Sequence, residues 1–438
     1  MNFTYKNIWL ISFPVMMSLL VEQLINITDA IFLGHVSEVE LGAAAIAGIY
    51  YLAVYMLGFG FSLGLQVLIA RRNGEKKYRE TGKIFYQGLF FLLFMAVLFS
   101  ILIKNFSPYI LSGLISSEKI YRAVIDYIDW RCFGLLFAFP ALAIRSFLVG
   151  IVKTGILTAS AIILVITNVI LNYLLIFGSF GFPELGIKGA AIASSSAEMV
   201  SLFVLVAYMF IKMNKANYGL CFCLDFHLLI SVLKVSVWSM LYSFISVAPW
   251  FLFFVAIEQL GENQLAVANI IRSISTFFFV IVSSIATTAG SLVSNLIGAG
   301  ESKSIKAVCC KIIKLGYFIG FPLIALVLIF SDSVIGIYTD NKHLINEAFI
   351  PLVVMLSVYI FSVPGHIYSN VVIGTGNTRI SFLFQIIVIC IYLLQLYAIY
   401  KAPIASVAVY WTCEMVFVML LFLFSFFYMK KWLKQNNS

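Results

Sequence analysis

The sequence predicts an all-α integral membrane protein with twelve transmembrane helices in two six-helix bundles, related by a pseudo-two-fold axis along the membrane normal. Three observations carry this expectation. Of 438 residues, 62% are hydrophobic and 11% charged, with a mean hydropathy of +1.05, whereas soluble domains carry about 25% charged residues. Twelve apolar runs approach or exceed the roughly 20 residues a helix needs to cross a bilayer. The chain is also written twice. Pro140 to Gly150 with Thr154 recurs as Pro364 to Gly374 with Thr378, the turn Gly74-Glu75 recurs as Gly300-Glu301, and Glu198 falls on Glu414. Each copy holds an even number of spans, so both enter from the same side, which makes a parallel repeat of the kind seen in transporters.

The spans follow in order. β-barrel strands would alternate polar and apolar residues, so continuous apolar runs imply helices. The first, 8–33, is apolar from Trp9 to Leu33, too long for the core of a signal peptide. It carries Glu22, Asn26 and Asp29 at steps of four and three residues, and seven residues return a helix to within about 20° of the same azimuth. Spans two to four are expected at 42–69, 84–103 and 124–150, with a basic turn from Arg71 to Lys83. The fifth, 157–178, carries Asn168 and Asn172, and the sixth, 188–211, carries Ser194 and Glu198, each pair at helical i,i+4 spacing. The polar stretch 212–227 is the expected interlobe linker, separating lobes 1–215 and 216–438. Spans seven to nine fall at 232–259, 265–297 and 313–330, with Arg272 in the eighth. The tenth, 348–374, contains Pro364, which removes a backbone hydrogen bond and bends the helix just before His366. The last two lie at 380–399 and 403–429, with Glu414 in the twelfth. Several runs exceed the minimum, so tilt is expected.

Orientation follows from the basic residues. With the N-terminus inside, 18 Lys and Arg fall on the cytosolic side and 6 outside, which satisfies the positive-inside rule with both termini cytoplasmic. The expected location is therefore the cell (inner) membrane, as a multi-pass protein surrounded by lipid. The net charge of +9 is accounted for by this asymmetry, so no nucleic-acid partner is implied. The 7 Cys, among them Cys221, Cys223, Cys309 and Cys310 near cytosolic turns, lack paired His ligands and are read as reduced. The 4 His are dispersed and no GxxxxGK[ST] loop is present, so neither an enzyme nor an ATP-driven pump is expected, and no cofactor.

A carboxylate at membrane depth costs about 2.5 to 3.5 kcal/mol on insertion scales, so each asks for a reason. Asp29 is the leading candidate because Glu22 and Asn26 share its face. Desolvation disfavours the charged form of a buried carboxyl, which lets such a group carry a proton. Asn168, Asn172, Ser194 and Glu198 are placed to converge on it. Glu198 has a second reading: its repeat partner Glu414 stands at the equivalent place, and a feature present in both copies is readily structural. Arg272, His366, Tyr173 and Trp250 are the candidate residues of a substrate cleft. Arg272 is near enough to a span end to snorkel outward, and a lone His such as His366 is commonly packed and satisfied.

Across essentially its whole length the chain resembles the multidrug and toxic compound extrusion (MATE) transporters. The resemblance is carried by Pro14 with Asn26-Ile27-Thr28-Asp29-Ala30-Ile31-Phe32-Leu33-Gly34, by the run from Gly181 to Ala193, by Asn295 to Glu301 and by Gly374-Thr375-Gly376-Asn377-Thr378. It implies a secondary antiporter, expected as a monomer, that exports lipophilic cationic small molecules in exchange for H+ or Na+. In that family a first-span Asp, an Asn and an Asp four apart on the fifth span, and a Thr on the sixth form the ion site. Here Asn172 replaces the second acid and Ser194 the Thr, which favours a proton, with Na+ at Asp29, Asn168 and Asn172 as the other possibility. One pH unit is worth about 1.4 kcal/mol and 100 mV about 2.3 kcal/mol per charge, together a gradient of roughly a few hundredfold if the exchange moves one net charge inward and about tenfold if it is electroneutral. The alternative within the superfamily is a flippase for a lipid-linked oligosaccharide. It would need a basic cleft, for which only Arg272 and Arg145 lie deep, and fourteen spans would favour it.

Overall fold

Among the residues it describes, the computed structural model of the chain is mainly helical through each apolar run expected to cross the bilayer, and twelve helical stretches are long and apolar enough to span a membrane. The structure describes residues 3–113, 115, 117–222, 224–339, 341–402 and 406–437; for residues 26, 38, 251, 262 and 437 it describes the backbone alone. Cys223 and the side chain of Asn26 therefore lie outside the described residues. In chain order the α-helices are α1 (Tyr5–Gly34), α2 (Glu38–Gly74), α3 (Tyr78–Ser112), α4 (Glu118–Arg131), α5 (Leu135–Gly150), α6 (Gly155–Ile176), α7 (Ile187–Lys212) and α8 (Lys215–Tyr218). They continue as α9 (Phe226–Ile245), α10 (Ala248–Glu258), α11 (Glu262–Gly298), α12 (Ile305–Ile329), α13 (Ser331–Gly336), α14 (Lys342–Gly374), α15 (Thr378–Lys401) and α16 (Val407–Asn437). Most spanning helices outrun the expected spans at one or both ends, because polar residues in the interfacial zone continue a helix once the apolar run has started it.

Two expected spans are each two helices. The fourth breaks at Cys132–Gly134, where one 3-10 turn joins α4 to α5, and the Ser100 hydroxyl donates to the Cys132 carbonyl at 2.8 Å. The seventh breaks between α9 and α10, with Pro249 in the first turn of α10; proline lacks the N–H a continuous helix would need and restricts the residue before it. In the tenth span, by contrast, α14 runs through both Pro351 and Pro364. The carbonyl four residues before Pro364 belongs to Ile360, and the Tyr317 hydroxyl donates to it at 2.6 Å, so the group freed by the proline finds a partner and the helix persists.

Contacts divide the chain into two compact units. The N-terminal unit is Phe13–Met240. Its core is formed by buried residues of α2 to α7 such as Phe61, Leu65, Leu92, Phe139, Phe147 and Leu205. The stretch expected as a linker folds onto α3: Gln87 Oε1 accepts from the Asp225 amide at 3.1 Å, and a Cβ on Gly82 would stand 2.6 Å from the Gly219 carbonyl oxygen. Asp225 then caps α9 by accepting from the amides of His227 and Leu228 at 3.0 and 3.1 Å. The C-terminal unit is Leu241–Ser438 with Met1–Ser12, and Lys311 Nζ donates to the Phe3 carbonyl at 3.0 Å. Its α14 packs against α11 and α16, and Trp411, Tyr392 and Tyr410 are its largest fully buried side chains.

Candidate functional site

Asp29 lies in the last two turns of α1, half-buried against α6 and α7 of the N-terminal unit. Three neutral donors reach its carboxylate. Asn172 Nδ2 donates to Oδ1 at 2.5 Å, Asn168 Nδ2 to the same oxygen at 3.3 Å, and the Ser194 hydroxyl to Oδ2 at 2.9 Å. The donors are tied to one another. Asn168 Nδ2 donates to Ser194 Oγ at 3.0 Å and Asn172 Nδ2 to Asn168 Oδ1 at 3.1 Å. Asn168 and Asn172 are fully buried and Ser194 is 3% exposed.

Close approach of α6 and α7 makes this cage possible. After α6 the chain turns through Gly178 and Gly186, both at positive φ, a region open to glycine at no steric cost. The returning strand of the turn bonds back to the end of α6, with the Leu185 amide donating to the Leu175 carbonyl at 2.9 Å. A Cβ on Gly189 would meet that same Leu175 carbonyl at 2.5 Å, so only glycine lets α7 start this near to α6. Helical periodicity does the rest, because i,i+4 spacing turns Asn168 and Asn172 toward one side of α6.

The cage is rich in acceptors as well as donors. Asn172 Oδ1 is buried with no hydrogen-bond partner. No Lys or Arg pairs with Asp29 among the described residues. Amide and hydroxyl groups can present oxygen as readily as hydrogen, so the same side chains suit a bare carboxylate in one state and a proton or small cation in another.

Glu22 and Glu198 do not join this cage, and here the structure departs from the expected ion-site set. Arg131 forms a bidentate pair with Glu198, Nη1 donating to Oε2 at 2.9 Å and Nη2 to Oε1 at 2.6 Å. The guanidinium is also stacked 3.9 Å from the centroid of the Tyr51 ring. Glu22 is paired with Arg145. A low-dielectric site favours a charge-assisted bidentate partner over neutral donors, so both acids are held by fixed counter-cations. Gly134 leaves room for the first pair: a Cβ there would stand 2.5 Å from Glu198 Oε2. Glu414, the repeat partner of Glu198, has a different setting and accepts from the Tyr392 hydroxyl at 3.0 Å.

The remaining expected residues are dispersed. Tyr173 is 49% exposed and packs against Phe177 with tilted rings 6.2 Å apart. In the C-terminal unit, Trp250 packs with Phe253 and Trp411 at 6.2 and 6.0 Å. The Arg272 guanidinium lies 4.9 Å from the Phe254 ring, and His366 stands edge to face with Phe279 at 5.5 Å. The sequence reading missed Arg131 and gave Arg145 no partner. The signal was present: two arginines within the fourth span and two extra acids in the same copy balance one another, and an intramembrane charge calls for a partner.

With this geometry in hand, comparisons with known proteins become informative. A family profile described as MatE matches residues 14–174 and again 236–400, once in each copy of the repeat. A probable multidrug resistance protein NorM of Photorhabdus laumondii is 26% identical over 348 residues, 78% of this chain and 75% of that protein. The multidrug resistance protein NorM of Aliivibrio fischeri is 23% identical over 356 residues, 80% of this chain and 76% of the relative. Among solved structures, an outward-facing multidrug resistance MATE family transporter of the MOP superfamily superposes with a TM-score of 0.90, at 19% identity, covering 99% of this chain and 96% of the other. The eukaryotic MATE transporter AtDTX14 gives 0.85 at 17% identity, covering 98% and 97%. At these identities the structural likeness establishes the fold.

Proposed function

Since the chain belongs to the MATE family of membrane transporters, we propose that it is a secondary active antiporter that exports lipophilic cationic small molecules in exchange for H+ or Na+, with Asp29 as the coupling carboxylate. One observation carries this reading. Among Glu22, Asp29 and Glu198, the acids expected at membrane depth in the N-terminal unit, Asp29 alone has no arginine partner among the described residues and meets neutral groups instead. A carboxylate locked to a guanidinium gives up its charge reluctantly. One held by amides and a hydroxyl can take a proton or ion when its neighbours rotate.

The transport cycle follows from that contrast. In the bare state Asp29 accepts three donors and α1 is tied to α6 and α7 through them. Loading from outside removes the charge, weakens those charge-assisted bonds and lets the amides turn oxygen toward the new occupant, with Asn172 Oδ1 as the spare acceptor. The end of α1 is then free to repack, and coupling requires that substrate bind the two states of α1 with different affinity, since equal binding shifts nothing. Asn172 in place of a second acid leaves the cage one charge short of a strong cation site, which favours H+. The names of the relatives, multidrug resistance proteins, support organic cations as cargo. The flippase alternative loses support because Arg145, one of its two deep cations, is neutralised by Glu22. The reading also takes residues 1–215 and 216–438 as the two functional halves of a monomer in the cell membrane, with both termini cytoplasmic.

Transport in reconstituted vesicles tests the class. Export of tetraphenylphosphonium is expected to depend on an imposed proton or sodium gradient and to fall to passive leak when both are collapsed with ionophores. Export that continued unchanged without either gradient would exclude an antiporter.

A further inference from the structure

A second site lies away from Asp29, where the ends of several helices of the N-terminal unit meet. A cavity of about 580 Å³ is lined by Lys76, Lys77, Arg79, Lys153 and Lys212, with Glu80 the acid at its wall. These residues come from the α2–α3 turn and the first turn of α3, the α5–α6 turn and the end of α7. With α4 and α5 forming one crossing, alternation of the spans puts all of these ends on one face of the membrane.

The cations are poorly compensated. Glu80 is engaged by Arg72 at 3.1 Å, and Glu75 by Arg72 and Lys77 at 2.6 and 3.2 Å. Burial works against the charge on Glu75, but the bonds and charges of Arg72 and Lys77 hold its carboxyl below the ordinary range. Among the described residues, no carboxylate pairs with Lys76, Arg79, Lys153 or Lys212. Four positive groups facing one cavity repel one another unless an anion lies between them.

The positive-inside rule alone would place basic residues here, and the internal repeat shows which of them are particular to this copy. Where the first copy has Lys76, Lys77, Arg79, Lys153 and Lys212, the alignment of the second places Ser302, Lys303, Ile305, Asn377 and Tyr428. In the C-terminal unit the places of Lys153 and Lys212 are filled by a neutral pair, Asn377 Nδ2 donating to the Tyr428 hydroxyl at 2.6 Å. The second copy has cytosolic cations of its own, Lys303, Lys306, Arg379, Lys430 and Lys431, but at the places of Lys76, Arg79, Lys153 and Lys212 it has neutral side chains, so this set of four is not a feature carried by the repeat.

We propose that this cavity binds the phosphate of an anionic membrane lipid, with Lys76, Arg79, Lys153 and Lys212 as its counter-charges. The surroundings favour a lipid over a soluble anion. Phe210, 64% exposed, lies in the last turn of α7 just before the rim residue Asn214, with the Lys215 ammonium 4.4 Å above its ring. Phe222, 78% exposed, leans on Tyr86 and Phe90 at 5.8 and 4.6 Å, extending an apolar path along α3 for an acyl chain. The wall is built rather than loose, because Tyr218 packs on Tyr78 at 6.1 Å and receives the Lys153 ammonium at 5.3 Å. Basic pockets at helix ends recognise anionic headgroups in this way.

The test uses full-length protein in phosphatidylcholine bilayers with trace spin-labelled phosphatidylglycerol, reading the motionally restricted lipid fraction. Neutralising Lys76→Gln, Lys153→Gln and Lys212→Gln together is expected to weaken association by roughly a hundredfold, at about fivefold per cation. The charge-retaining Lys76→Arg, Lys153→Arg and Lys212→Arg protein is expected to bind as wild type does. So is a control with Lys430→Gln, Lys431→Gln and Lys434→Gln, which removes equal charge elsewhere. Unchanged binding in the first variant, an equal loss in the control, or displacement of the lipid by glycerol 3-phosphate at matched concentration would overturn the proposal.

Discussion

Asp29→Asn is expected to abolish gradient-driven accumulation, taking the steady-state ratio in vesicles from roughly tenfold to near unity under one pH unit when one H+ enters for each monovalent cation exported. The substitution keeps the size of the side chain and one oxygen, so the amides of Asn168 and Asn172 and the Ser194 hydroxyl still have an acceptor to meet. What disappears is the group able to exchange a proton or bind an ion. Without it the two forms of α1 no longer differ by an ion-dependent free energy, and a gradient has nothing to act on. Fluorescence of an accumulated organic cation reads the ratio directly. Full accumulation by the variant would remove Asp29 from the coupling role and leave the fold untouched.

Breaking the buried Arg131–Glu198 pair should be the most damaging single change to stability. Glu198→Gln leaves a guanidinium enclosed by Tyr51 and neighbouring helices without its bidentate partner, and removing one member of a buried pair typically costs about 3–5 kcal/mol. Replacing both residues by apolar ones is expected to recover most of that loss, because the desolvation cost of both ions disappears with the pair. Thermal unfolding of the two single variants and the double variant in one lipid mixture checks this. Single-variant losses below about 1 kcal/mol would show that the pair is solvated and inconsequential. Because Glu198 is one turn beyond Ser194 on α7, the same experiment also reports how firmly α7 is held against Asp29.

The twelve crossings and the duplication were legible because hydropathy and repeat are properties of the chain alone. The convergence of Asn168, Asn172 and Ser194 on Asp29 was legible for a related reason: i,i+4 spacing fixes which side of a helix a polar group faces, and buried polar groups must find one another. Pairing was harder. Glu198 and Glu414 are equivalent in the repeat, yet one meets Arg131 and the other Tyr392, since the copies diverged at the partner and not at the acid. The breaks in the fourth and seventh spans were hidden because apolar composition continues through them. The basic cavity was hidden by the positive-inside rule, which explains each lysine singly and is silent on which of them share one concavity.

Ion release on substrate binding tests the central claim most directly. Tetraphenylphosphonium added to purified protein in weakly buffered solution should displace about one H+ or Na+ per molecule bound, by the reciprocity of linked equilibria. The prediction is release from the wild type and none from Asp29→Asn at matched occupancy. Equal release from both proteins, or none from the wild type, would contradict the assignment of Asp29 as the group that trades ion for substrate.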